Sequence, residues 1–267
     1  MKKETKPKVI VITGASSGIG LATANYFCEK GYVVYGIARS AKEKVDAKFN
    51  YYQGDICDSE KMQQIASEIH KKEGKIDILF NNAGFGISGA IEFTEKQQVQ
   101  KQFDTNVVAT IDMCKIYLPY LRESKGKIII TTSVAAPAAI PLQACYSATK
   151  AALESFALAL SKEVRTQGIK VACVRPGDIQ TGFTDARIKS MQTNDAYGDF
   201  IKDKTDKMEK SERKGMQPIA VAKHVYKIAK RKNPPLISLV GFGYKCISLL
   251  LKIVPVRWSN YLVYKLY

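Results

Sequence analysis

Thr13-Gly14-Ala15-Ser16-Ser17-Gly18-Ile19-Gly20 follows the run Lys8-Val9-Ile10-Val11-Ile12 and precedes helix formers that end at Lys30-Gly31. The β-branched run has no helical period, so it predicts a short buried strand. Glycine in the turn lets backbone approach a bound anion closely, and the following helix offers free N–H donors and partial positive charge. Strand, glycine loop and helix in that order predict a pyrophosphate cradle built from Gly14, Ser16, Ser17, Gly18, Ile19 and Gly20.

Outward from this loop the chain keeps one rhythm. Strands are predicted at 32–37, weakly at 51–52, and at 76–80, 127–132 and 170–174. Helices are predicted at 21–30, at 59–72 with Ser59 as the N-cap, and at 101–123 and 145–166. Strands alternating with helices imply parallel pairing with crossover helices on both faces. The expected architecture is α/β, a single-domain Rossmann-type doubly wound sheet over residues 1–267, with ligands at the carboxyl ends of its strands. Two stretches depart from the rhythm: a charged segment at 183–217, placed where a lid would sit, and an apolar, basic tail at 236–267.

Composition bounds the function. The 267 residues are 46% hydrophobic and 25% charged, as in a soluble globular protein. The start, Met1 to Lys8, is charged and unlike a signal peptide, so a cytoplasmic protein is expected. Six scattered cysteines form no CxxC pair and are read as reduced thiols, mostly buried. With His70 and His224 the only histidines, no His-based metal site is expected. The net charge of +16 fits a lysine-rich soluble surface, attraction to a phosphate-rich ligand, or an anionic membrane. The lysines are spread over many segments with no groove-reading motif, so no nucleic acid partner is expected.

Tyr146 and Lys150 stand at i and i+4 in Tyr-Ser-Ala-Thr-Lys, one above the other on a helix. An ammonium under a phenol favours the phenolate. Bringing a tyrosine from ~10 into working range takes about 3–4 kcal/mol. One positive charge at ~4 Å supplies about that much in a partly screened site.

The glycine loop, Asn81-Asn82-Ala83-Gly84, Asn106, Ser133, Tyr-x-x-x-Lys and Pro176-Gly177 occur in an order that resembles the short-chain dehydrogenase/reductase family, over roughly residues 9–181. The resemblance implies an oxidoreductase with Asn106, Ser133, Tyr146 and Lys150 as its catalytic set. Ser133 would hold a substrate carbonyl, and Tyr146 would act as general acid or base. Lys150 would lower the Tyr146 pKa and bind the nicotinamide ribose, while Asn106 would hold a water linking Lys150 to solvent. Asn82, Ala83 and Gly84 would line the adenosine side. Asp55, with Ile56 beside it, would meet the adenine, although an Asp there also suits a turn into the next helix. Thr181, after Pro176 and Gly177, would bond the carboxamide.

Cofactor choice rests on the end of the second strand, Ile37-Ala38-Arg39-Ser40. A guanidinium there suits a 2′-phosphate, so NADP(H) is favoured over NAD(H); a merely stacked Arg39 would tolerate either. Small and apolar residues at 135–142 favour a lipophilic ketone or secondary alcohol. The downstream pattern is diffusely similar to the hydroxysteroid and retinol dehydrogenase-like branch. The family resemblance also suggests a homodimer or homotetramer through the helices at 101–123 and 145–166. In the tail, Lys245 and Lys252 share a helical face, which fits packing over the pocket, packing on a partner subunit, or a helix lying on a membrane with Arg257, Trp258 and Lys265. Two rival readings are a catalytically silent nucleotide-binding protein and a peripheral membrane protein of the same fold. The intact Ser/Tyr/Lys set argues against the first.

Overall fold

The computed structural model of the chain describes residues 6–41 and 48–266. The chain runs β1 (Val9–Thr13), α1 (Gly18–Glu29), β2 (Val33–Ala38), β3 (Asn50–Gln53), α2 (Ser59–Glu73), β4 (Ile78–Asn81), β5 (Ile87–Ser88), α3 (Lys96–Phe103), α4 (Ala109–Ser124), β6 (Lys127–Thr131), α5 (Ala144–Glu163) and β7 (Lys170–Arg175). It continues through α6 (Phe183–Ala186), β8 (Ile188–Lys189), α7 (Phe200–Arg213), α8 (Pro218–Lys230), β9 (Ile237–Leu239), α9 (Phe242–Ile253) and α10 (Val256–Leu266).

Seven strands form one sheet in the order β3-β2-β1-β4-β6-β7-β9, parallel throughout. Successive side chains of a strand point to opposite faces, and in β1 both sets are apolar. Val9 and Val11 join a core with Met62 and Ile65 of α2, Tyr117 of α4 and Leu153 of α5. Ile10 and Ile12 join a second core with Phe27 of α1 and Val225 and Ile228 of α8. The sheet is therefore covered on both faces, as expected. Strand order reverses at β1 and β4, and this opens a crevice at their carboxyl ends.

Several local expectations are corrected. Asp58, not Ser59, caps α2: its carboxylate accepts from the Lys61 N–H at 3.0 Å. The helix expected at 101–123 is α3 and α4 joined by a π turn, Asp104–Val108, which seats the buried Asn106. Helix α5 ends at Glu163, and residues 165–167 form a 3-10 turn closed by Gly168 at φ 78°. The tail opens with a seventh strand, since Ile237 pairs beside Cys173. Of the six free cysteines only Cys114 and Cys173 are buried, while Cys57 and Cys246 are exposed. The charged segment folds as α6, β8 and α7, and β8 pairs in parallel with β5. Among the described residues, no helix is long and apolar enough to cross a membrane.

Candidate active site

A cleft of about 460 Å³ runs along the carboxyl ends of the strands. Every expected site residue lines it except Gly20 and Asn106, which stand just behind the lining. The cradle depends on glycine for reasons of space. Gly14 and Gly18 have φ of 67° and 54°, a region that L side chains avoid. A Cβ on Gly20 would stand 2.0 Å from the Gly14 carbonyl oxygen, so only glycine lets α1 start this close to the loop.

Asn82 ties three strand ends together. Its N–H donates to the Thr13 hydroxyl at 3.0 Å, its amide donates to the Thr13 carbonyl at 3.2 Å, and its amide oxygen accepts from the Thr131 hydroxyl at 3.3 Å. Ala83 N–H also donates to the Thr13 hydroxyl, at 3.1 Å. Asn106 is equally engaged. Its amide donates to the Phe85 carbonyl at 2.9 Å and the Thr149 hydroxyl at 3.2 Å, and its oxygen accepts from the Phe85 N–H at 3.0 Å. These bonds fix the strand exit beside Gly84, where a Cβ would stand 3.0 Å from the Asn106 oxygen.

Tyr146 and Lys150 share one face of α5, as their spacing requires, but the electrostatics differ from expectation. Lys150 Nζ donates to the Thr131 carbonyl at 2.9 Å and lies 5.7 Å from the centre of the Tyr146 ring. Burial lowers the Lys150 pKa to about 8. Part of the Tyr146 ring faces the cleft, yet burial pushes its phenol up to about 12. The Ser133 hydroxyl and the Arg187 guanidinium pull it part of the way back, and Glu212 pushes it up. Desolvation, not the lysine, dominates the phenol.

The remaining assignments divide between cleft and turn. Arg39 is exposed just past the end of β2 and lines the cleft. The Asp55 carboxylate accepts from the Cys57 N–H at 3.0 Å, so it forms the turn into α2 while lining the cleft. The Pro176 carbonyl accepts from Val134 N–H at 3.1 Å. Gly177 packs against the Tyr244 ring, and the Tyr244 hydroxyl accepts from the Asp178 N–H at 2.9 Å. The Thr181 hydroxyl accepts from the Phe183 N–H at 3.2 Å. The described residues hold no cluster of metal-ligating side chains.

Sequence reading placed a lid at 183–217 but singled out none of its charged residues. Arg187 is buried, pairs with Glu212, stands 5.5 Å over the Phe183 ring, and lines the cleft with both. The Thr184 hydroxyl donates to Glu212 at 2.7 Å. Nothing in a run of surface-like charges marks these as cleft residues. A second buried pair supports α5. Arg175, at the end of β7, makes two 2.5 Å bonds to Glu154 of α5, which also accepts from the Thr132 hydroxyl at 2.9 Å.

The sequence model described as short chain dehydrogenase matches residues 8–192, a span that takes in the glycine cradle, Ser133, Tyr146 and Lys150. The chain belongs to that family. As a short-chain dehydrogenase it is an oxidoreductase acting on a CH–OH group. It is 41% identical over 239 residues to a 3-ketodihydrosphingosine reductase of Bacteroides thetaiotaomicron, covering 88% of each chain. It is 29% identical over 274 residues to an NADPH-dependent 3-dehydrocapnine reductase of Ornithobacterium rhinotracheale, covering 96% of this chain and 95% of that one. Among solved structures, a short-chain dehydrogenase from Streptomyces avermitilis superposes with a TM-score of 0.82 at 27% identity, covering 96% and 97%.

Proposed function

We propose that this short-chain dehydrogenase is an NADP(H)-dependent reductase of a lipophilic ketone, with a long-chain amino ketone of the 3-ketodihydrosphingosine type as its substrate class. The observation that carries the reading is the meeting of Ser133, Tyr146 and Lys150 in the same cleft as the glycine cradle and Arg39. The cofactor fits on the cradle's own terms: Gly14 and Gly20 let the loop and the start of α1 pack closely, and Ser16, Ser17, Gly18 and Ile19 line the cleft where the free N–H groups of that helix start can meet a pyrophosphate. Arg39 supplies the cation for a 2′-phosphate, and the relative named as NADPH-dependent supports the same preference. When bound, the nicotinamide supplies the hydride.

The chain's residues handle the rest. Ser133 donates to the carbonyl oxygen and fixes its position. The Tyr146 phenol, protonated throughout the neutral range, gives its proton to that oxygen as it becomes an alcohol. Lys150, held at the Thr131 carbonyl, keeps two further N–H donors for the ribose hydroxyls. Asp55 and Ile56 border the adenine end, and Pro176, Gly177 and Thr181 the carboxamide end. Asn106 positions the strand exit beside Lys150.

The test is reduction of 3-ketodihydrosphingosine, followed by loss of reduced-nicotinamide absorbance. Tyr146→Phe is expected to abolish turnover while NADPH still quenches protein fluorescence. Near-normal turnover in that variant overturns the acid–base assignment. We assign the protein to the cytoplasm and to a homo-oligomer packed through α4 and α5. Val108 and Ile111, at the start of the α4 run, are apolar and exposed. Ile111→Glu is expected to lower the oligomer mass in sedimentation, and an unchanged mass counts against that interface.

A further inference from the structure

We propose that the outward face of α9 and α10 docks on an anionic lipid bilayer and holds the cleft where a lipophilic ketone resides. Charge is the first argument. From Arg213 onward the sequence has 11 Lys and Arg and no Asp or Glu, so its final fifth carries most of the +16. Lys245, Lys252, Arg257 and Lys265 belong to α9 and α10 themselves, and helices with basic and no acidic side chains are complementary to acidic headgroups.

Shape is the second. On α9, Cys246, Leu249, Leu250 and Ile253 recur at i, i+3, i+4 and i+7 and are all exposed, Ile253 to 74%. Tyr244, Ser248 and Leu251 lie on the opposite side and are half-buried. Exposed Lys245 flanks the apolar stripe, where its stem can lie along the lipid and its ammonium reach the headgroups. Pro255 breaks the direction, and α10 adds Val256 (83% exposed), Trp258 (64%) and Tyr261, with exposed Arg257 and Lys265 on the same helix. Trp and Tyr suit the headgroup level because each has an apolar ring and a polar edge. Helices of 12 and 11 residues cannot span a bilayer that needs about 20. They can lie in its surface.

The link to the cleft is the third argument. Tyr264 stacks on Phe200 of the lid helix α7 at 6.3 Å between ring centres. Lys204 and Lys207 of α7 donate to the carbonyls of Tyr264 and Lys265 at 2.7 and 3.2 Å. The same lid helix carries Met208 and Glu212 into the cleft, and Tyr244 of α9 holds the backbone of Asp178 at its rim. These contacts join the docking face directly to the lid. Delivery of substrate from the bilayer rests on the reductase reading; docking does not.

Trp258 is the only tryptophan, so its emission reports the face directly. The experiment mixes the full chain with equimolar phosphatidylglycerol/phosphatidylcholine vesicles, and separately with phosphatidylcholine alone. Expected are co-sedimentation and a blue shift of Trp258 emission with the anionic vesicles only, both weakened by salt. The variant Leu249→Glu/Leu250→Glu/Ile253→Glu is expected to bind at least about tenfold more weakly, since it puts three charges on the inserted stripe. Turnover of a short, water-soluble ketone is the separate control: it fails if the reductase reading fails, and it is expected to be unchanged in the variant. The proposal is overturned if wild type ignores anionic vesicles or if the variant binds as well as wild type. It is also overturned if the variant instead dissociates a stable oligomer, which would make this face a seat for a second copy.

Discussion

Glu154→Gln isolates the pair beneath the catalytic helix. Glu154 follows Lys150 by four residues, as Lys150 follows Tyr146, so the three form one stripe of α5 turned toward the sheet. Arg175 and Glu154 are 6% and 7% exposed, and two parallel bonds of 2.5 Å join them. The substitution keeps the shape and removes the charge, leaving a buried guanidinium without a counterion. Breaking such a pair from one side costs about 3–5 kcal/mol. For a chain of this size each kcal/mol shifts the melting temperature by roughly 2–4 °C, so Tm should fall by roughly 6–20 °C. Because Thr132 borders Ser133 and follows the carbonyl that holds Lys150, kcat should fall as well. Replacing both partners, Glu154→Leu with Arg175→Met, removes the stranded charge and should recover most of the loss. Thermal and urea denaturation of the wild type, the single and the double variant read this out. A single-variant loss below about 1 kcal/mol refutes the reasoning, as does a double variant no more stable than the single.

Three further outcomes are expected. Arg39→Asp should raise the Michaelis constant for NADPH by about one to two orders of magnitude, the worth of a charged hydrogen bond plus repulsion, and leave that for NADH little changed; equal changes would mean that Arg39 does not read the phosphate. With Tyr146 pushed up to about 12 and Lys150 lowered to about 8, the pH profiles of the two directions should diverge. Reduction needs the phenol protonated and the amine charged, so it should be level below about 8 and decline above it; alcohol oxidation needs the phenolate beside the same charged amine, so it should climb up to about 8 and level off there, and matching profiles would exclude this assignment. Gly20→Ala should cut NADPH binding at least tenfold, because its methyl must displace the Gly14 carbonyl from a distance of 2.0 Å; unchanged binding by fluorescence titration would show that the cradle gives way.

What the sequence revealed and what it hid divide along contact range. The β1 run, the cradle and the Tyr146–Lys150 spacing are local, and each prescribes its own geometry within a few residues. The π turn at Asp104–Val108 was hidden because its cause is distant: Asn106 pairs with the backbone of Phe85, 21 residues earlier. The same holds for Glu154 and Arg175, which read as an ordinary helix charge and strand end until tertiary packing brings them together. Arg187 and Glu212 belong to a segment whose composition matches a solvated surface, and only the lid's return over the sheet makes them part of the cleft. The expected fall in the Tyr146 pKa considered one neighbouring charge, whereas desolvation depends on everything packed around the ring.

Tyr244 presses its ring into the hollow left by Gly177 and takes the next residue's N–H on its hydroxyl. The C-terminal segment is thereby keyed into the wall of the cleft. The tail cannot be exchanged between relatives as an independent cassette: a graft lacking an aromatic at this place would leave a hole beside the catalytic pocket, and a graft with a different seat would need another residue at 177. The seat of the tail and the shape of the pocket are bound to change together.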